Sequence, residues 1–556
     1  MKWNLNRRIR FFLALSAVVF TLLAAFGWLT VPKVVPAEEE TRFSAERVVE
    51  DLAVIAKEPH SVEHPEARAA VRAYLEQRLR DLGGEVQVYA YDSVAFRYGG
   101  HYDIANVYAE FEPVNAPATA YVLFVAHMDS RFRQQVLDRT VYSYGAADDG
   151  YGLGVTLELV RDALQYRNEW KQGIKVLFTD SEENDLDGMR NACLYDPQLL
   201  DQVGLVINLE ARGVKGPALL FETSSGDEKV VDLYAETAAW PVTYSLTSVV
   251  YKMMPNFTDF TLLKEDYPGV NFSCLDNINY YHTDLDCLEN IQPKTIQHYG
   301  SQLEPMLEDY LTDVSYADPD ALRGEENRVF FTLPGLGMVK MTQGQNRTFA
   351  VVTLLLFVLA FALYVKTRNI RPKQVFIKAL VILGWGLGIL LAAEGLIWVL
   401  ARCVGTPFSL TATKFIPADQ WIGATAVVLT VLAVIAVFVR RTAKRPYFAC
   451  ETLFATLLLM LVFGEVMTWT LGENFFFLVP VLVASVSLIL SLFLLLNIFS
   501  LPAMMLVLLL AASFLYNLLT ALTVGALGIV LLLVFFNALV VCALFENFVR
   551  VKVRLT

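Results

Sequence analysis

Only six histidines occur in the 556 residues, and two of them lie in short polar segments rich in carboxylates. The apolar run Tyr121–Ala126 leads straight into His127-Met128-Asp129. Gly145-Ala146-Ala147-Asp148-Asp149-Gly150 comes next, and the apolar run Ile174–Thr179 ends in Asp180-Ser181-Glu182-Glu183-Asn184-Asp185. A third run closes on Asn208-Leu209-Glu210-Ala211-Arg212-Gly213, and Tyr280-Tyr281-His282-Thr283-Asp284-Leu285-Asp286 comes later. Zinc takes His nitrogen and Asp or Glu oxygen, and a catalytic site keeps one position open for water. Two cations sharing one carboxylate make a co-catalytic hydrolytic centre. Taken singly, each segment has a plainer reading. His127 suits a structural strand end, Asp148 and Asp149 suit a helix N-cap, and the Glu182 segment suits a solvated acidic loop. The ordered set is far more specific than any member.

That order, over roughly residues 100 to 300, resembles the co-catalytic di-zinc peptidase family that includes secreted bacterial aminopeptidases, glutamate carboxypeptidase and glutaminyl cyclases. The resemblance implies two zinc ions bridged by Asp148. His127 and Glu210 would complete one site, and Glu183 and His282 the other. It makes Glu182 the general base, with Asp129, Asp149 and Asp286 supporting the ligands, and it implies a cis peptide between Asp148 and Asp149. Tyr281 either donates a hydrogen bond to a developing oxyanion or packs against the sheet edge. Pro255-Asn256-Phe257-Thr258-Asp259-Phe260 resembles the family's Ser/Thr-Asp segment, which places Asp259 near substrate. Secreted members usually carry Asp where this chain has Glu210. Glutamate there resembles the membrane-anchored branch, which includes the endoplasmic reticulum metallopeptidase and the vacuolar membrane protease. The expected activity is that of a membrane-bound exopeptidase acting on peptides, most simply an aminopeptidase. A carboxypeptidase, a glutaminyl cyclase or an inactive receptor-like scaffold would use the same domain.

The elements that must position these residues read as α/β. Helical periodicity covers Ser44–Lys57, Glu66–Leu82 and Gly152–Leu164, between strand-like runs at Tyr121–Ala126, Ile174–Thr179 and Leu205–Leu209. Strands alternating with helices imply a mainly parallel sheet sandwiched by helices. Residues 40–330 form this expected extracytoplasmic domain. His60, His64, His101 and His298 read as surface residues.

The remainder belongs to lipid. Charged residues make up only 18% of the chain and hydrophobic ones 55%, against about 25% charged in a typical soluble domain. Residues 31–346 hold 51 Asp and Glu against 26 Lys and Arg, whereas the rest holds 6 against 19. So acidic a domain excludes nucleic acid as a partner, because phosphate binding needs a basic face. Six scattered cysteines without a CxxC pair exclude a disulfide scaffold or zinc ribbon. Residues 1–10 read as a cytoplasmic N-terminus and 11–31 as an uncleaved anchor, with cleavage near Val35-Pro36-Ala37 as the rival. Residues 331–348 read as a linker and 349–546 as an all-α membrane domain. Its seven spans fall near 349–365, 379–401, 421–439, 452–471, 475–496, 502–522 and 524–545, and residues 547–556 form a cytoplasmic tail. Lys366, Arg368, Arg371 and Lys373, then Arg440, Arg441, Lys444 and Arg445, then Arg550, Lys552 and Arg554 fall on alternate loops, as the positive-inside rule requires. Glu394, Glu451 and Glu465 read as unpaired acids in or near the spans, too few for a transport path.

Overall fold

Strands buried on both faces read as continuous apolar runs, and Tyr121–His127 and Gly173–Thr179 are buried at every position. In the computed structural model, which describes residues 6–29, 32–252, 254, 256–410, 413–445, 447–494 and 497–550, they lie side by side in a seven-stranded sheet. The order across it is Glu85–Ala95, His101–Phe111, Gly173–Thr179, Tyr121–His127, Val203–Ala211, Gly269–Cys274 and Leu219–Thr223. The four central strands run parallel, and antiparallel strands close both edges. The α/β reading with a mainly parallel sheet therefore holds.

Helices cover both faces. Gly150–Ala163 lies on the central strands and is itself covered by Ala45–Ile55 and Pro293–Thr312, so almost all of its residues are buried. On the opposite face Leu123, Val125, Leu177 and Val206 pack against Met189, Ala192, Leu199 and Phe260. Parallel register brings the carboxyl ends of three strands together. Val125 pairs with Asn208 and His127 with Thr179, so Glu210 stands level with His127. The acidic segment after Thr179 leaves from the same edge. Gly188 lets the next helix, Asp187–Tyr195, approach this edge. A Cβ there would lie 2.4 Å from the Asp180 carbonyl oxygen and 2.5 Å from Asn106 Oδ1.

This domain is one compact unit, Thr30–Phe330, and Met1–Leu29 with Phe331–Thr556 form a second. Among the described residues the second unit contains eight helices long and apolar enough to cross a membrane. They are Arg7–Trp28, Gln343–Arg368, Pro372–Val404, Asp419–Lys444, Phe448–Thr470, Phe475–Phe493, Asn497–Leu522 and Val524–Val549. Thr30 and Val31 of the expected anchor, Lys2, Pro255, Lys552 and Arg554 lie outside the described residues.

Three expectations need correction. The segment expected as a linker contains strand residues, at Val329–Leu333 and Gly337–Met341, and helix from Gln343. The acids in the spans have partners. Lys378 Nζ lies 2.7 Å from Glu451 Oε2, Gly528 N–H donates to Glu394 Oε1 at 2.9 Å, and Trp469 Nε1–H donates to Glu465 Oε2 at 3.3 Å. His60 and His298 are buried at 2% and 1% exposure rather than on the surface, and His64 is partly buried, while His101 is exposed as expected. Local sequence shows none of these tertiary partners.

His298 supplies a test of this core. Its Nδ1 accepts the Ala218 N–H at 3.0 Å and its Nε2–H donates to the Trp240 carbonyl at 2.9 Å, an arrangement that needs the neutral ring. Burial lowers its pKa to about 4. The unfolded chain binds a proton near pH 6.5 that the folded domain refuses, so stability is complete above that pH and falls between pH 6.5 and about 4. The loss amounts to roughly 3 kcal/mol for this residue. His298→Gln should flatten the decline of the domain's thermal midpoint with falling pH, measured on the detergent-solubilised chain. An unchanged slope would rule out His298 as its source.

Candidate metal centre

His127 ends its strand with Nδ1 2.8 Å from the Asp129 carbonyl oxygen. A carbonyl only accepts, so Nδ1 carries the proton and Nε2 presents its lone pair to the cleft. The Asp129 carboxylate is 3.5 Å from Nδ1 and serves elsewhere. It accepts the backbone N–H groups of Glu182 at 2.9 Å and Glu183 at 3.4 Å, pinning a turn entered through Ser181, which has a φ of +62°.

The other supporting carboxylates work in the same way. Asp149 caps helix Gly150–Ala163 through the Gly152 N–H at 3.1 Å and accepts the His127 N–H at 3.2 Å. Asp286 accepts the N–H groups of Ala147 at 2.7 Å and Asp148 at 3.3 Å, with the Ser143 hydroxyl at 3.0 Å. Each of the three thus grips the backbone of a segment that carries a candidate ligand. The Asp148–Asp149 peptide is cis.

Asp148 presents one oxygen to each histidine. Its Oδ1 is 3.3 Å from His127 Nε2 and its Oδ2 is 3.3 Å from His282 Nε2. Glu210 Oε2 lies 4.0 Å from His127 Nε2, and Glu183 Oε1 lies 2.8 Å from His282 Nε2. Two triads result, His127–Asp148–Glu210 and Asp148–Glu183–His282, each with ligand atoms within 4.8 Å of one another. Asp148 Oδ2, Glu183 Oε1 and His282 Nε2 are buried without a hydrogen-bond partner. Buried polar atoms are normally satisfied, so three such atoms converging on one point fit a metal ion. The donor set of imidazole nitrogen and carboxylate oxygen suits zinc.

Charge crowding supports the same fit. Burial drives the Glu182 carboxyl well above its ordinary range, with Glu210, Glu183 and Asp259 adding to the effect and His127 opposing it. Burial and Asp149 do the same to Glu210. Asp286 is pushed to about 7 by burial and by Asp148. Glu183 is the exception. Burial opposes its ionisation, but His282 and Arg131 hold it well below the usual carboxylate range.

The remaining expected residues also lie at this end of the sheet. Glu182 belongs to neither triad. Tyr281 stacks on the His282 ring at 3.6 Å between centroids. Asp259 is buried, accepts a hydrogen bond from the Thr179 hydroxyl through Oδ2, and leaves Oδ1 without a partner. Sequence reasoning missed Arg131, whose Nη1 donates to Glu183 Oε2 at 2.9 Å and to the Glu183 carbonyl at 2.8 Å. Its position two residues after Asp129 was the available signal. It also missed a buried polar row behind Glu210. Asn208 Nδ2 reaches Asn271 Oδ1 at 2.9 Å, Asn271 Nδ2 reaches Glu222 Oε2 at 3.2 Å, and Lys264 Nζ reaches Glu222 Oε1 at 2.6 Å.

Part of the chain is similar in sequence to known proteins. Residues 106–306 match the sequence model of Peptidase family M28. Endoplasmic reticulum metallopeptidase 1 of Mus musculus is 27% identical over 282 residues, which are 50% of this chain and 30% of that protein. A vacuolar membrane protease of Emericella nidulans is 30% identical over 199 residues, 35% of this chain and 19% of that protein. These matches thus span a third or less of each relative's length. Among solved structures, Porphyromonas gingivalis glutaminyl cyclase is 20% identical with a TM-score of 0.40, covering 48% of this chain and 99% of that one. A Zn-dependent exopeptidase from Parabacteroides distasonis is 19% identical with a TM-score of 0.38, covering 49% and 99%. Residues 106–306, which carry both candidate histidines and their carboxylate partners, are a peptidase M28 domain.

Proposed function

We propose that this chain is a membrane-bound, zinc-dependent exopeptidase that removes residues from the free amino end of peptides. The observation that carries the reading is Asp148, which divides its two oxygens between two histidine-containing triads, while Glu182 interacts electrostatically with His127, Glu210 and Glu183 and belongs to neither triad. Two zinc ions held by His127, Asp148, Glu183, Glu210 and His282 would lower the pKa of a water towards neutrality and polarise the scissile carbonyl. Glu182 takes the proton as the water oxygen bonds to the carbonyl carbon. It returns a proton to the amine as the C–N bond breaks. A general base works best with a pKa near the working pH, and burial moves Glu182 in that direction. Its hydrogen-bonded neighbours leave it in place for this task. Asp129 holds its backbone N–H, and its carboxylate belongs to neither triad. Tyr281, stacked on His282, supplies a phenol for the developing oxyanion. The acidic wall of Glu182, Glu210 and Asp259 favours a substrate with a free ammonium group next to the scissile bond.

The domain would work outside the cytoplasm, with the C-terminus inside. Basic residues on alternate loops support this orientation. Reporter fusions after Lys373 and after Arg550 should both read as cytoplasmic, and either one on the opposite side would break the topology.

The catalytic assignment separates base from ligand. In the detergent-solubilised full chain, Glu182→Gln should keep zinc close to two per chain while kcat on an aminoacyl substrate falls by about 10²–10⁴-fold. Glu183→Gln should instead lower the zinc content towards one, with activity partly restored by added zinc. Near-wild-type turnover in Glu182→Gln would end the hydrolytic mechanism. A wild-type chain that stays free of zinc after reconstitution would end the metallopeptidase reading.

A further inference from the structure

The two unshared carboxylates of the centre are held differently. Glu183 turns Oε1 towards His282 Nε2 at 2.8 Å, without a hydrogen bond. Its Oε2 is taken by Arg131 Nη1 at 2.9 Å. The same Nη1 donates to the Glu183 carbonyl oxygen at 2.8 Å, and the Arg131 Cζ stacks 4.0 Å from the centre of the Phe132 ring. Only 14% of the Arg131 side chain is exposed, so the guanidinium is fixed beside the carboxylate. Among the described residues, no such cation sits on the Glu210 carboxylate. Its Oε1 meets the neutral amide of Asn208 at 3.4 Å, and its Oε2 faces His127.

We infer that Arg131 is a positioning residue that occupies one oxygen of Glu183 and makes the Asp148–Glu183–His282 triad the weaker of two unequal metal sites. The inference rests on the two-metal reading proposed above. Two effects act in the same direction. Glu183 is limited to a single donor oxygen, and a guanidinium that cannot lose its proton stands close to a bound cation. Like charges a few ångströms apart in a poorly screened cleft repel appreciably. The opposite triad carries Asp148 and Glu210 with only neutral donors on Glu210. The arrangement gives one firmly held metal and one that fills and empties with the free zinc concentration of the compartment.

The test is competition between the full chain in detergent and a chromophoric zinc chelator, with zinc alone as ligand. Wild type should release its zinc in two resolved steps, and Glu183→Gln should loosen the weaker one further. Arg131→Met removes the charge and keeps the stem, so the weaker step should tighten by about tenfold or more while the tighter step stays in place. Arg131→Lys keeps the cation, so its weaker step should remain within about threefold of wild type. The tighter step doubles as a folding control, because a misfolded domain would lose both. An unchanged or loosened weak step in Arg131→Met, equal shifts in both steps, or loss of both would overturn the inference and leave Arg131 a structural anchor. A wild-type chain that binds no zinc would overturn the two-metal reading as well.

Discussion

Carboxylates crowded into a buried cleft dominate the carboxyl end of the sheet. Two unit charges 4 Å apart interact with about 4 kcal/mol at an effective dielectric constant of 20, and here Asp148, Glu182, Glu183, Glu210 and Asp259 share one site. Asp129, Asp149 and Asp286 relieve the strain locally by accepting backbone N–H groups. Arg131 relieves it at Glu183. Asp148 Oδ2, Glu183 Oε1 and His282 Nε2 keep no hydrogen-bond partner. A cation held between them would satisfy all three at once and lower the repulsion among the rest.

The parallel sheet makes that crowding geometrically cheap. Adjacent parallel strands end on the same edge, so residues far apart in sequence arrive together without long loops. His127 and the turn at Glu182 leave from neighbouring strands, and Glu210 comes from the next one. Only Asp148 and His282 come from loops. Asp286 binds the N–H of Asp148 directly, which ties the two loops to each other. Each supporting carboxylate grips the backbone of a different segment that carries a candidate ligand, so the site is a closed set of mutual restraints rather than five independent side chains.

Much of this was legible because three of the candidate ligands, His127, Glu183 and Glu210, sit at or just beyond the ends of apolar runs. Tyr121–Ala126 and Ile174–Thr179 read as buried strands from composition alone, and residues just beyond the carboxyl end of a parallel strand face the crevice. The antiparallel edge Glu85–Ala95 is mostly exposed and has no such signature. The strand Gly269–Cys274 hides because its buried Asn271 and Ser273 interrupt the apolar pattern. Asn271 is accommodated by Asn208, Glu222 and Thr258, partners that only the folded sheet supplies. Burial of His60 and His298, the Lys378–Glu451 pair and the hold of Arg131 on Glu183 were illegible for the same reason. Each depends on a residue at least 50 positions away.

A single observation bears most directly on the shared carboxylate. Diffraction data from zinc-loaded crystals, collected on both sides of the zinc absorption edge, would place each bound ion without reference to activity. Two anomalous peaks about 3.5–4 Å apart are expected, one between His127 and Glu210, the other between His282 and Glu183, with Asp148 touching both. A single peak, or two peaks that Asp148 does not bridge, would contradict the shared carboxylate.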